Sequence, residues 1–268
     1  MNIVSFDAFR TLGLPGVRYI KPERMYEHLD EIQRADWVLF PEYWQIHTLV
    51  YVLKKRIFPS LASYHLGHDK VEQTRAFLAL CPEHVPPTQI RASTPENIAD
   101  IDRRFAYPMI AKRIKSSMGD GVSLIENRAQ LARHAEAEPV LYVQERLPID
   151  RDLRIVLVGD EILTAYWRVT PLGGYRSNVS QGGQVDYDAI PDEAIALARR
   201  LARGLGVNHA GFDIAMAWGH PFVFEFNRLF GNQGIPDSAR RLGQAILRTL
   251  QREDDMGPGS RPPFGLTG

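Results

Sequence analysis

The sequence predicts an α/β chain with α+β lobes: a short open α/β lobe first, then lobes of antiparallel strands and helices. Near the N-terminus a strand–helix–strand order calls for parallel pairing. Further on, paired strand patterns are joined by glycine-bearing turns, which calls for antiparallel hairpins. At 268 residues the chain has room for more than one buried core.

Asn2-Ile3-Val4-Ser5 is the first strand and Trp37-Val38-Leu39-Phe40 the second, with a helical segment from Pro22 to Gln33 between them. His47 to Arg56 reads as a helix and Phe58-Pro59-Ser60-Leu61 as a brief strand. Asp69 to Leu80 is expected to be helical, capped by Asp69, with Val71, Thr74, Phe77 and Leu78 facing inward. Cys81-Pro82 ends that helix, and Pro86-Pro87-Thr88 leads into the next lobe. Met109-Ile110-Ala111, Val122 to Ile125 and Leu141-Tyr142-Val143 read as strands. Another strand begins at Asp152, turns at Gly159-Asp160 and returns from Ile162 to Val169. Pro191 opens an amphipathic helix with Leu197, Ala198, Leu201 and Leu205 inward and an end near Gly204 and Gly206. Ser238 to Leu250 is the last helix. Met256 to Gly268, rich in Pro, Gly and Ser, is expected to be disordered.

Composition removes several function classes. Acids and bases balance at 32 each, so no global field draws nucleic acid or anionic membrane. The one cysteine, Cys81, excludes an intrachain disulfide, fits a reducing compartment and reads as an apolar filler. No apolar run reaches spanning length, and MNIVSFDAFR lacks a signal-peptide pattern, so a cytoplasmic protein is expected. A homo-oligomer stays open.

The most informative stretch runs from Gly211 to Gly234 and reads as two strands joined at Trp218-Gly219-His220, with Pro221 opening the second. A hairpin centred near Gly219 puts Asp213 opposite Glu225, and Asn227 shares their face by the strand's period of two. Phe222, Phe224, Phe226 and Ile214 fall on the other, core-like face. An all-oxygen trio of Asp213, Glu225 and Asn227 suits a hard cation such as magnesium, with manganese as an alternative. The competing reading is a solvated face with two acids that repel each other.

Upstream, Lys112 leaves a buried strand just before a loop holding Ser116, Ser117, Gly119 and Gly121. Such a loop lets backbone N–H groups close over phosphates while the lysine adds a point charge. The loop lacks the P-loop and dinucleotide signatures, and Gly-Asp-Gly between strands is more often a plain turn. After Leu141-Tyr142-Val143, the polar run Gln144, Glu145, Arg146 and Leu147 breaks the apolar pattern as a hinge would, exposing backbone to an adenine edge. Asp152 and Arg154 alternate with Leu153 and Ile155 on the next strand. Arg176, Ser177 and Asn178 lie in a polar loop between glycine pairs, Gly173 to Gly183. Taken alone, that loop would be a solvated crossing.

In this order the segments resemble the ATP-grasp superfamily, and within it the RimK-type glutamate ligases and their lysine-biosynthesis relatives. The resemblance rests on Asp69-Lys70, Lys112 before the glycine loop, Gln144-Glu145, and Asp152-Leu153-Arg154. It continues through Arg176-Ser177-Asn178 with Gly182-Gly183, and Asp213, Glu225 and Asn227. It spans about Asp69 to Leu250. It implies an ATP-grasp fold in which two lobes clasp ATP: an N-terminal lobe over 1–68, and an ATP-grasp domain over 69–255. Within that domain 105–146 would cover the nucleotide and 147–255 would carry the metal and the chemistry, with 256–268 as tail. It further implies ATP contacts from Lys70, Lys112, Ser116, Ser117, Gly119, Gly121, Gln144 to Leu147, Asp152 and Arg176 to Asn178. Magnesium would sit on Asp213, Glu225 and Asn227, and Arg176, Arg154 and Asn178 would act at the transferring phosphate.

The activity implied is an ATP-dependent carboxylate–amine ligase acting through an acylphosphate, with an amino-acid, peptide or protein acceptor. Two departures concern the acceptor: the segment before Asp69 matches poorly, and Asn227 is followed by Arg228-Leu229-Phe230-Gly231 where the family usually has a small residue, Pro and Gly. An ATP-grasp kinase or phosphotransferase and a non-catalytic nucleotide-binding module are the alternatives. Among the histidines, His65 and His68 lack further nitrogen or sulfur ligands for zinc, and His209 and His220 read as packing or turn residues. Tyr43 and Trp44, just past a strand end, are substrate candidates, with core packing as the competing account.

Overall fold

Short apolar runs become strands where neighbouring backbone completes their hydrogen bonds, and among the described residues they gather into three sheets. The computed structural model describes residues 1–114, 121–169 and 184–255. The expected tail and the loops around Ser116 and Arg176 lie outside the described residues.

The first sheet is parallel, in the order β2-β1-β3-β4, from β1 (Ile3–Ser5), β2 (Val17–Tyr19), β3 (Trp37–Leu39) and β4 (Arg56–Phe58). Every residue of β1 and β3 is buried, as both faces of a parallel sheet require. Between β2 and β3 come a 3-10 segment, Pro22–His28, and helix α1, Leu29–Arg34. The helix expected from His47 to Arg56 is instead a π-helical stretch, Thr48–Val52, and Arg56 opens β4. β4 stops before Pro59, which has no N–H to continue the ladder. Ser60 then caps α2 (Leu61–Leu66) by accepting the Ser63 N–H.

The second sheet is antiparallel, in the order β5-β8-β6-β7, from β5 (Thr88–Ala92), β6 (Met109–Lys112), β7 (Val122–Ile125) and β8 (Val140–Glu145). Helices α4 (Pro95–Arg104) and α5 (Arg128–Ala137) bury Ile101 and Leu131 against Met109, Ala111, Leu141 and Val143.

The third sheet, also antiparallel, runs β11-β10-β9-β12-β13. Its strands are β9 (Arg151–Val158), β10 (Glu161–Val169), β11 (Gln184–Asp186), β12 (His209–Ala217) and β13 (His220–Asn227). One face packs on α3 (Lys70–Leu80) and α6 (Asp192–Leu205) through Phe77, Leu197, Leu201, Phe212, Ile214, Val223 and Phe226. Opposite, α7 (Ser238–Asp255) joins Val156 and Val158 to Leu39 and Phe58 in a core shared with the first sheet. Asp69 caps α3 by accepting the Val71 and Glu72 N–H groups, and Gly206 closes α6 at φ 68°. Leu78, expected inside, is 39% exposed, and Gln73 is buried in its stead. The Gln73 amide serves β13 as a strand neighbour would: Oε1 accepts the Phe226 N–H at 2.8 Å and Nε2 donates to the Phe226 carbonyl at 3.0 Å. A buried sheet edge is thereby satisfied by one side chain.

The β12–β13 hairpin corrects one expectation and explains another. Its turn is Trp218-Gly219 alone, both residues at positive φ (51° and 74°), the tight turn that suits twisted hairpins. Ala217 therefore pairs with His220, and unbroken pairing would leave Asp213 opposite Phe224. A β-bulge at Phe224 shifts the register, so Asp213 pairs with Glu225. The bulge also turns Phe222 and Phe224 off the α6 face, where they were expected, to pack with Leu147, Ala215 and Ala217; Val223 and Phe226 take the core positions.

Candidate active site

The third sheet lines up a row of functional side chains. Tyr166, Arg154, Asp213 and Glu225 are successive cross-strand partners over β10, β9, β12 and β13, so all four share one face. Two pairs further along, and so on the same face, Arg168 lies opposite Asp152. Arg168 donates through Nε to Asp152 Oδ1 at 2.8 Å and through Nη2 to Oδ2 at 2.6 Å, and the same Nη2 stands 3.1 Å from Asp213 Oδ2. Arg154 brings Nη2 within 3.3 Å of that oxygen and Nε within 2.7 Å of Asp213 Oδ1, without hydrogen-bond alignment in the second contact. Burial pushes the Asp213 carboxyl upward in pKa, opposed by these two guanidinium groups. Burial also works against charge on Arg168, yet Asp213 and Asp152 hold its pKa above the ordinary value. The two facing acids are therefore not a bare repulsive pair, because arginines neutralise one of them.

Lysines neutralise the other. Lys70, at the start of α3, reaches Glu225 Oε2 at 3.2 Å, and Asn227 Nδ2 donates to Glu225 Oε1 at 3.2 Å. Burial alone would raise the Glu225 pKa, but Lys70 and Lys112 hold it below the usual carboxylate range. Lys112 closes β6 of the second sheet and points at the third. Its Nζ lies 5.4 Å from the Tyr142 ring centroid and 5.2 Å from that of Phe224. Burial brings the Lys112 ammonium down to about 8, with Glu225 pulling the other way. Two cations from two different elements thus converge on one carboxylate, beside an apolar floor of Leu147, Ala215, Phe222 and Phe224.

A model of the RimK-like ATP-grasp domain matches residues 68–250, most of the chain and all of this site. The chain belongs to the RimK-like ATP-grasp family. It is similar to a "Probable alpha-L-glutamate ligase" of Citrobacter koseri, 32% identical over 213 residues, 72% of this chain and 70% of that protein. It is also similar to the ribosomal protein bS6–L-glutamate ligase of Escherichia fergusonii, 30% identical over 212 residues, 74% of this chain and 70% of that one. Among solved structures, a RimK domain protein of Sphaerobacter thermophilus superposes with TM-score 0.69 at 16% identity, covering 93% of this chain and 99% of that chain. The ATP complex of a D-alanine–D-alanine ligase from Bacillus anthracis gives 0.70 at 14%, covering 96% and 98%. At such identities the likeness is one of fold, and it is the ATP-grasp fold. As a RimK-like ATP-grasp protein the chain is an enzyme of the ATP-dependent carboxylate–amine ligase class, which forms C–N bonds.

Of the site residues expected from sequence, Lys70, Lys112, Arg154, Asp152, Asp213, Glu225 and Asn227 stand on this one network. Asp152 gives both carboxylate oxygens to Arg168. Gln144 is held inside β8 between two strands, its Nε2 donating to Thr88 Oγ1 at 2.9 Å, so the strand runs on through Glu145 where a break was expected. Glu145 donates its N–H to the Pro87 carbonyl, Arg146 is exposed and Leu147 belongs to the apolar floor. Gly121 closes the β6–β7 hairpin, its carbonyl accepting the Arg113 N–H at 2.7 Å. Ser116, Ser117, Gly119, Arg176, Ser177 and Asn178 lie outside the described residues.

Sequence reasoning missed Arg168, which is 4% exposed. Its signal was a lone guanidinium between Trp167 and Val169 in a strand read only as the return from the Gly159-Asp160 turn. Among the described residues no group of three or more His, Cys, Asp or Glu side chains forms a metal cluster, and no helix is long and apolar enough to cross a membrane. His209 and His220 pack: His209 Nδ1–H donates to the Arg228 carbonyl at 2.6 Å, and His220 stacks on His84 at 4.6 Å.

Proposed function

We propose that this enzyme phosphorylates the carboxylate of an amino acid or peptide with ATP and couples the acylphosphate to an amine, releasing ADP and phosphate. The observation that carries this is the convergence of Lys112 and Lys70 on Glu225, in register with Asp213 and Arg154. This arrangement supplies fixed positive charge for phosphates and oxygen donors for a cation.

The base of ATP would rest on Leu147, Ala215, Phe222 and Phe224, with the Gln144 to Leu147 backbone at its edge. Lys70 and Lys112 would take the phosphates, together with the loops holding Ser116, Ser117, Gly119 and Gly121, and Arg176 to Asn178. The donor set fits magnesium: two carboxylates and an amide oxygen are hard ligands, and buried Asp213 Oδ1 lacks a hydrogen-bond donor. Asp213, Glu225 and Asn227 would hold the ion, which when bound offsets charge on the phosphate oxygens. Arg154 and Arg168 favour the charged form of Asp213 against its burial and aim it; Asp152 in turn fixes the Arg168 fork.

A substrate carboxylate oxygen attacks the terminal phosphorus, the bond to ADP breaks, and an acylphosphate forms. An amine then attacks the acyl carbon, loses a proton, and expels phosphate to leave an amide. Positioning and electrostatics carry the rate, with no covalent protein nucleophile. The relatives' names, which specify L-glutamate and ribosomal protein bS6, support an amino-acid substrate and a peptide or protein partner. Residues 69–255 would form the ATP-grasp domain and 1–68 the lobe that frames the acceptor.

Lys112→Met tests the nucleotide assignment. It leaves an unbranched side chain beside the Tyr142 and Phe224 rings while removing the charge. ATP affinity by calorimetry should fall at least tenfold with the fold intact; unchanged affinity in a folded variant refutes the assignment. A phosphotransferase would release ADP and accumulate a phosphorylated product without needing an amine.

A further inference from the structure

Glu225 and Asn227 stand two residues apart on β13, and the backbone between them is held from outside the sheet. In an antiparallel strand the N–H and C=O of one residue point the same way, toward the neighbouring strand or away from it, in alternation. At Phe226 both point away from β12, and Gln73 meets both. Its Oε1 accepts the N–H at 2.8 Å and its Nε2 donates to the carbonyl at 3.0 Å. That N–H belongs to the peptide group leaving Glu225, and that carbonyl to the peptide group entering Asn227. One side-chain amide therefore fixes the two backbone planes that carry two of the candidate cation ligands.

The amide is itself firmly held. Gln73 is 4% exposed, so water does not compete for its partners. Nε2 also donates to the Leu66 carbonyl at 3.3 Å, at the end of α2. Both amide hydrogens are thus given to carbonyls, which leaves Oε1 facing the Phe226 N–H. Three residues earlier on α3, Lys70 meets Glu225 Oε2 at 3.2 Å. One helix thereby holds Glu225 twice, by its carboxylate and by its backbone. The bulge at Phe224 comes just before, and a bulged strand bends and twists more sharply. A tie at Phe226 keeps that bend from displacing the two ligands beyond it.

We infer that Gln73 is a positioning residue for the cation site, presetting the Glu225 carboxylate and the Asn227 amide to bind one divalent ion together. The inference rests on the cation site proposed above. A small hard cation demands near-ideal ligand geometry. Groups that orient metal ligands are worth roughly ten- to a hundredfold in affinity.

The test titrates manganese(II) into the complex with a non-hydrolysable ATP analogue and reads the bound ion by electron paramagnetic resonance, without turnover. Gln73→Met keeps the length and loses every hydrogen bond. Gln73→Asn keeps the amide on a stem too short to meet both groups of Phe226. Manganese affinity should fall roughly ten- to a hundredfold in Gln73→Met and by less in Gln73→Asn. Affinity for the analogue without metal should stay at the wild-type value. Thr74→Val controls for a loosened helix: the Thr74 and Tyr142 hydroxyls are buried and hydrogen-bonded at 2.7 Å, so this variant costs α3 a bond while Phe226 stays tied. Gln73→Met and Thr74→Val should both lower Tm, and only the first should weaken manganese binding. Wild-type manganese affinity in a folded Gln73→Met variant, or an equal loss in Thr74→Val, would overturn the inference and leave Gln73 as the closure of a sheet edge. Should Gln73→Met fail to fold, wild-type affinity in Gln73→Asn would overturn it in the same way. Glu225→Gln separates the two readings: if that variant binds manganese as wild type does, the cation site itself is refuted.

Discussion

Arg168 on β10 grips Asp152 on β9 with two near-parallel hydrogen bonds of 2.8 and 2.6 Å, and the same guanidinium reaches Asp213 at 3.1 Å. A residue that touches no expected ligand thereby sets the position of a candidate metal carboxylate.

Arg168→Lys keeps the charge and loses the fork. Only one carboxylate can then be met well, so Asp213 becomes free to swing. Turnover should fall at least tenfold, and the magnesium concentration for half-maximal activity should rise, with ATP affinity altered far less. A variant with wild-type magnesium dependence would contradict the positioning role.

Asp213→Asn offers a test of stability. Two facing acids viewed alone suggest that neutralising one relieves repulsion and stabilises the fold. The structure reverses the sign, because Arg154 and Arg168 would each lose a buried anionic partner. Removing one member of such a network costs about 3 kcal/mol. Urea denaturation should show this loss alongside loss of activity, and a variant as stable as wild type would refute the neutralised network.

His209 gives a pH signature. Burial drives its pKa down to about 3, with Arg10 and Arg228 also opposing the charge and the bond to the Arg228 carbonyl favouring it. The unfolded histidine has a pKa of about 6.5. Between these values the unfolded state binds the extra proton, so stability is full above about 6.5 and declines as pH falls toward 3. His209→Gln should be less stable at neutral pH and should show a flatter acid limb in pH-dependent unfolding. Parallel acid limbs for the two proteins would remove His209 as the cause.

Much of this was legible because it is local. The Asp69 cap, the Gly206 helix stop and the Asp213–Glu225 pairing each follow from residue type and a short spacing. The pairing, though, arises from two features that cancel: a turn one residue tighter than expected and the bulge at Phe224. No local pattern marked the bulge, so Phe222 and Phe224 were assigned to the wrong face. Helices α4 and α5 escaped notice because they carry few large apolar residues, Ile98 and Ile101 in one and Leu131 in the other, too few to mark a helical period. Arg168 escaped because its partners lie on other strands, and burying a guanidinium makes sense only once Asp152 and Asp213 are seen around it.

The central claim is that a substrate carboxylate becomes an acylphosphate before the amine attacks. It is tested most directly by following oxygen from that carboxylate in a reaction with ATP and magnesium. Amino acids carrying ¹⁸O in their carboxylates should give an amide and inorganic phosphate bearing one ¹⁸O atom per turnover, read by mass spectrometry. Amide formation with unlabelled phosphate, or ATP turnover that leaves the label wholly in the amino acid, would contradict the account.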